Sequence, residues 1–285
     1  MLLLSYASLG NAEGFESLVR KIKSSELDQV QSIMIQAWFL RLNEQWSDVI
    51  QLLEESLFHF NLQQLREYQP QILMAQAYRH VEEYTEAHQK LIDFESHSSS
   101  NINCRIEIAR LAFSRENYYK CINQYEQAVN GAINMLSEKA VLQYLLSHWN
   151  MGNIEELNNI LPSIISVYID NIEFNSLYIR VLAKQQKWKE VIQSYSKIES
   201  GQRANLIYQA TLAKYRLGLI EEAHAHSIKP TFEHPYEYWS LISEIALLVE
   251  DKELAEYCYK GMIAIYPNYD NLGNWSKLNN LRYKT

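Results

Sequence analysis

A short pattern recurs eight times along the chain: an apolar or aromatic residue, two residues that are often acidic, then a small or apolar one. Its copies end at Phe15, Val49, Ala87, Cys121, Leu157, Val191, Ala223 and Ala255, with separations of 34, 38, 34, 36, 34, 32 and 32 residues. Apolar residues recur at three- and four-residue spacing on both sides of each copy, which predicts two amphipathic helices joined by a tight turn. Twelve residues before each end position stands a column that is small in five of eight copies: Leu3, Ala37, Ala75, Ala109, Leu145, Ile179, Thr211 and Ser243. Small side chains there let the two helices of a hairpin approach closely. Four residues after it stand Val19, Leu53, Leu91, Tyr125, Leu161, Tyr195, Ser227 and Tyr259, placed to pack against the next hairpin. The columns describe a core laid out in one dimension.

The opening MLLLSYASLGNAEGF belongs to this pattern. It copies LLSHWNMGNIEEL at residues 145–157, and it lacks the basic start of a secretory signal, since nothing basic precedes Arg20 and Ser5, Tyr6 and Ser8 interrupt the apolar run. Composition agrees with helices throughout: 8 Gly and 5 Pro in 285 residues starve turns and sheets, and 47% hydrophobic residues supply a sizeable core. Acidic residues Asp48, Glu86, Glu155, Glu156, Glu190, Glu221 and Glu222 fall at the start of the second helices, where the helix dipole favours negative charge, so catalysis is not needed to explain them. The widest spacing, between Val49 and Ala87, lengthens the helices or adds a loop around FHFNLQQLREYQP.

Several functions are disfavoured. Cys104, Cys121 and Cys258 are odd in number and share no metal-ligand spacing, which argues against a disulfide framework or zinc site and for a reducing, cytoplasmic location. A net charge of −8 opposes nucleic acid and anionic lipid, and no apolar run reaches the roughly 20 residues of a membrane span. No phosphate loop, G-x-S-x-G, H-E-x-x-H or paired C-x-x-C occurs. His224, His226 and His234 come nearest to a metal cluster, but residues two apart on a helix face different directions. No enzyme, cofactor or metal is expected.

YEQA at residues 125–128, LGLIEEA at 217–223 and Pro267, twelve residues past Ala255, resemble the tetratricopeptide repeat, a helical hairpin of about 34 residues. The likeness extends over nearly the whole chain, although glycine at the turn survives only at Gly10, Gly152 and Gly218. The resemblance implies an all-α, right-handed α-solenoid of stacked hairpins, a TPR-like superhelix. Residues 1–267 form about eight helix pairs, the first truncated, and residues 268–285 a capping helix with Leu272, Trp275, Leu278 and Leu281 on a regular rhythm.

It also implies a concave face lined by the first helices, at residues 28–42, 66–80, 103–115, 137–151, 171–186, 203–217 and 236–250. These carry 12 Lys and Arg against 8 Asp and Glu, a balance of +4 in a chain of −8. Trp38, Arg41, Arg79, Arg110, Phe113, Trp149, Arg180, Lys184, Tyr208, Tyr215 and Arg216 are the candidate groove residues. Such a lining suits an extended peptide or protein segment with carboxylates and apolar anchors. The Lys and Asn clamp of chaperone-binding members is missing: Met34 and Trp38, Ile72 and Gln76, Ile106 and Arg110 stand in its places. The expected function is a non-enzymatic interaction scaffold, the alternative a regulatory or substrate-docking arm of a larger enzyme or assembly. The truncated first hairpin leaves the N-terminal end open to self-association.

Overall fold

A computed structural model of the chain describes residues 28–98, 101–199, 203, 206–267, 269 and 271–283, with Glu13, Gly14 and Ser17. Leu3, Gly10, Phe15 and Val19 of the first copy lie outside the described residues. Within them every regular element is helical, and the fold is an all-α solenoid of stacked hairpins. The chain divides into two compact units, Met1–Gly152 and Asn153–Thr285.

In the first unit, α1 (Gln29–Leu42) pairs with α2 (Trp46–Ser56), α4 (Pro70–His80) with α5 (Tyr84–His97), and α6 (Ile102–Ser114) with α7 (Tyr118–Val129), followed by α8 (Glu138–Asn150). Each second helix also rests on the first helix of the next hairpin, and α4, α6 and α8 touch in succession, so the first helices share one face. The second unit repeats the scheme with α9 (Ile154–Val167), α10 (Ile172–Lys184), α11 (Trp188–Ser196), α12 (Ile207–Arg216), α13 (Ile220–His226), α14 (Tyr236–Leu248) and α15 (Lys252–Ile265).

The sequence columns coincide with the core. Val49, Ala87, Cys121, Leu157, Val191, Ala223 and Ala255 are all at 0% exposure, as are Ala37, Ala75, Ala109, Leu145, Ile179 and Thr211. The third column is buried too, except Ser227. There α13 stops at His226 and the chain turns extended ahead of Pro230, whose ring admits no further helical turn.

One backbone demand explains the turns. The residue five before each end position is left-handed in every described hairpin: Glu44, Glu82, Glu116, Gly152, Gln186, Gly218 and Glu250 have φ between 57° and 76°. Glycine adopts that region without strain, and the glutamates and Gln186 adopt it at a cost of about 1 kcal/mol each.

The long spacing before Ala87 resolves into an added element. Asn61 and Gln64 form a capping box that starts a short helix, α3 (Leu62–Tyr68), and the left-handed Gln69 ends it before Pro70 opens α4. The first helix expected at 66–80 is therefore broken at Gln69. Helix α3 lies against α5, and Arg66 Nε donates to the His97 carbonyl at 2.8 Å.

At the end of the second unit α16 (Asn271–Tyr283) packs on α15, with Leu278 buried among Tyr259 and Met262. Trp275, expected on its packed face, is 47% exposed; Asn274, one residue earlier, is buried instead and donates to Tyr236 Oη at 3.3 Å.

Candidate functional site

Three successive first helices of unit 1 meet at a cleft of about 290 Å³. Helix α1 contributes Trp38 and Arg41, α4 contributes Ile72, Leu73 and Gln76, and α6 contributes Asn103, Ile106 and Arg110. Tyr68 and Gln69 close one edge, and Met135, Leu136, Ser137 and Ala140, from the turn before α8 and its first residues, close another. Helical spacing puts Trp38 and Arg41, or Ile106 and Arg110, one turn apart on one face. Asn103 Nδ2 donates to Gln69 Oε1 at 2.9 Å, tying α6 to the break between α3 and α4.

Beside the cleft lies a buried carboxylate. Glu107 is 1% exposed, at the register that holds Ile35, Leu73, Leu177 and Leu241 in other hairpins. A carboxylate stripped of water there needs strong compensation. Arg79 Nε donates to its Oε1 at 2.6 Å and Arg110 Nη1 to its Oε2 at 3.3 Å. Arg41 joins from α1: burial, then Arg110, pulls its pKa below the usual arginine value, against the opposing pull of Glu107. Two guanidiniums thus hold one carboxylate, with Arg41 beside them in the lining of the cleft.

His80, on α4, registers the same field. Its ring lies flat on Trp46, with centroids 4.0 Å apart. Burial first, then the cations Arg79, Lys139, Arg41 and Arg110, lower its pKa to about 4.

The other expected groove residues are placed apart from this cleft. Phe113 is half-buried and meets Tyr118 edge-on at 5.9 Å, and Trp149 is half-buried on α8. In unit 2, Arg180 and Lys184 are exposed on α10. Tyr208 meets Tyr238 edge-on at 6.0 Å, Tyr215 Oη donates to Glu244 at 3.2 Å, and Arg216 lies over the Tyr215 ring. None of them lines a cavity of about 480 Å³ in that unit, whose walls include Ile165, Ile169, Ile172, Tyr178 and Ile198.

Nucleophiles and metal ligands do not gather among the described residues. Burial raises the thiol pKa of Cys104 and Cys258 to about 12 and that of Cys121 to about 11, far from the thiolate range needed for reactivity. His224 pairs with Asp251 at 3.1 Å, His226 meets the Tyr195 ring and His234 stacks on Tyr238, so the three imidazoles take separate partners. No described helix is long and apolar enough to cross a membrane.

No protein-family model and no curated protein matches the sequence. Solved structures do. A tetratricopeptide repeat protein from Parabacteroides merdae superposes with a TM-score of 0.54 at 14% identity, over 89% of this chain and 98% of the other. The pilF protein of Pseudomonas aeruginosa superposes with a TM-score of 0.55 at 11% identity, over 76% of this chain and 98% of the other.

The chain has the tetratricopeptide-repeat fold.

Of the residues expected from sequence, Trp38, Arg41 and Arg110 line this cleft and Arg79 stands beside it on Glu107; the sequence reading does not single out Glu107, which holds Arg79 and Arg110. A signal for it is present: an acidic residue stands where the repeat column is aliphatic in four other copies. Gln76 and Ile106 register in the sequence only as departures from the chaperone clamp, and both line the cleft.

Proposed function

We propose that the chain is a non-enzymatic interaction scaffold in which the shared face of α1, α4 and α6 receives a segment of a protein partner. The observation that carries this reading is the cleft itself, where Arg41 and Arg110 stand beside the apolar side chains of Trp38, Ile72, Leu73 and Ile106. Apolar surface supplies affinity and half-buried guanidiniums supply orientation, the combination found at protein interaction hot spots. Three unpaired, buried thiols suit a reducing compartment, and the cytoplasm is the proposed location.

Photo-crosslinking tests the placement. A benzophenone amino acid at Gln76, inside the cleft, is compared with one at Tyr119, 69% exposed on the second helix α7. A partner crosslinked from Gln76 and not from Tyr119 supports the reading; capture from Tyr119 alone refutes it. Charge reversal at Arg79 or Arg110 is a poor substitute, because each holds the buried Glu107 and its loss perturbs the fold as well as the cleft.

A further inference from the structure

Helix α11 is short for its place in the repeat. It starts in the same register as α5, α9 and α15, each of which runs for 14 residues, but it stops after nine, at Ser196. Ile198 still reaches the buried position that Phe94, Ile164 and Met262 hold in those helices, outside the helix and between the exposed Lys197 and Glu199. The cavity of about 480 Å³ opens where α11 gives out, between its end, the end of α9 and the first turns of α10.

Two devices fix the walls of this cavity. Arg203 Nε and Nη2 donate to the carbonyls of Ile198 and Ser196 at 2.6 and 3.0 Å, and its guanidinium lies over the Tyr195 ring at 5.4 Å, so the shortened helix is capped where it stops. Asn175 Nδ2 donates to the carbonyls of Ile169 and Asn171 at 2.7 and 2.9 Å, which pins the turn from α9 to α10. Ile165, Ile169, Ile172 and Ile198 make the lining apolar, and Tyr178 Oη and Ser194 Oγ, which line the same space, make no hydrogen bond among the described residues. A preformed apolar space with a few convergent polar groups, within the range of about 300–1,000 Å³ typical of small-ligand sites, is suited to a small molecule. Its charged lining residues, Asp170, Lys197 and Glu199, are all exposed, so an ionic ligand would leave water for a wall with no buried counter-ion.

We propose that this cavity binds an uncharged, largely apolar small molecule with one hydrogen-bonding group, which Tyr178 and Ser194 orient against the isoleucines. The site belongs to the second unit and does not rest on the scaffold reading of the first.

The test uses the full chain and two fluorescent probes: N-phenyl-1-naphthylamine, an uncharged aromatic amine with one N–H, and 8-anilinonaphthalene-1-sulfonate, the same molecule carrying a sulfonate. The uncharged probe should brighten on binding and shift the δ1-methyl NMR signals of Ile165, Ile169, Ile172 and Ile198, leaving Ile72 and Ile106 in place. The sulfonate should bind at least about tenfold more weakly, since its charge has no buried partner. Tyr178→Phe should weaken the uncharged probe about two- to tenfold, the scale of one hydrogen bond. Ser194→Phe, which fills the space, should abolish binding while circular dichroism still reports the helical fold; the methyl shifts decide the matter in the wild-type chain if that variant does not fold. The absence of shifts at these four isoleucines up to the solubility limit of the probe, shifts at Ile72 and Ile106 in their place, or equal binding of the sulfonate would each overturn the proposal.

Discussion

Gly261 lies inside α15, where helix propensity by itself favours alanine by about 1 kcal/mol. Packing reverses the sign. A β-carbon there would stand 2.1, 2.5 and 2.9 Å from Cζ3, Cη2 and Cε3 of Trp239, distances no real methyl tolerates. Trp239 is 2% exposed, its Nε1 donates to the Thr231 carbonyl at 3.2 Å, and its ring stacks on Tyr257 at 5.6 Å. The ring can withdraw only by surrendering that hydrogen bond, worth about 1 kcal/mol, and by overpacking its surroundings at about 1–3 kcal/mol. Setting the propensity gain against these, Gly261→Ala should destabilise by about 1–3 kcal/mol and lower the melting temperature by roughly 2–4 °C per kcal/mol. Urea and thermal unfolding, followed by circular dichroism and tryptophan fluorescence, measure it. In a Trp239→Leu background, where the clash is gone, the same substitution should be neutral or stabilising. A Gly261→Ala protein as stable as wild type would refute the packing argument.

Three other outcomes follow from the same geometry. Gly218→Ala, at φ 76° with nothing within 4 Å of the added carbon, should cost about 1 kcal/mol through backbone strain alone, measured by urea denaturation against Gln186→Gly, which should be neutral or slightly stabilising. Arg79→Gln leaves Glu107 buried with one guanidinium and should cost about 3 kcal/mol, much of it recovered in Arg79→Gln/Glu107→Gln; a cost confined to a few tenths would remove the ion cluster from the stabilising core. His80 should titrate near pH 4 by NMR, against an ordinary 6.5. Between those values the unfolded chain binds more protons than the folded one, so the stability His80 contributes is present above pH 6.5 and is lost as pH falls towards 4; His80→Gln should flatten that slope.

Much of the fold is legible because the repeat imposes one packing solution at each copy. Position twelve before the end residue must be buried between two helices, and Ala37, Ala75, Ala109, Leu145, Ile179 and Thr211 are all at 0% exposure. Even the turn is legible in register: the two described glycines at position five before the end residue mark where every hairpin turns left-handed. The added helix α3 is not, because its signal is a local capping box inside the one irregular spacing, and periodicity is silent there. The site is legible in part. Arginines on the first helices stand out in the sequence, but which of them converge depends on side-chain reach across hairpins, and this separates Arg41, Arg79 and Arg110 from the exposed Arg180 and Arg216. Glu107 escapes notice because an acidic residue among basic ones counts only as charge, when its place in a column that is aliphatic in four other copies, and glutamine in two, points to burial.

The most direct measurement is the set of arginine Nε–Hε signals of the isotope-labelled chain, recorded with and without the partner segment captured from Gln76. Arg41 and Arg110 signals should shift on binding together with the His80 ring, while Arg180 stays in place. Shifts confined to Arg180, Arg216 or the second helices, with Arg41 and Arg110 unmoved, would contradict the assignment of the cleft as the partner-binding site.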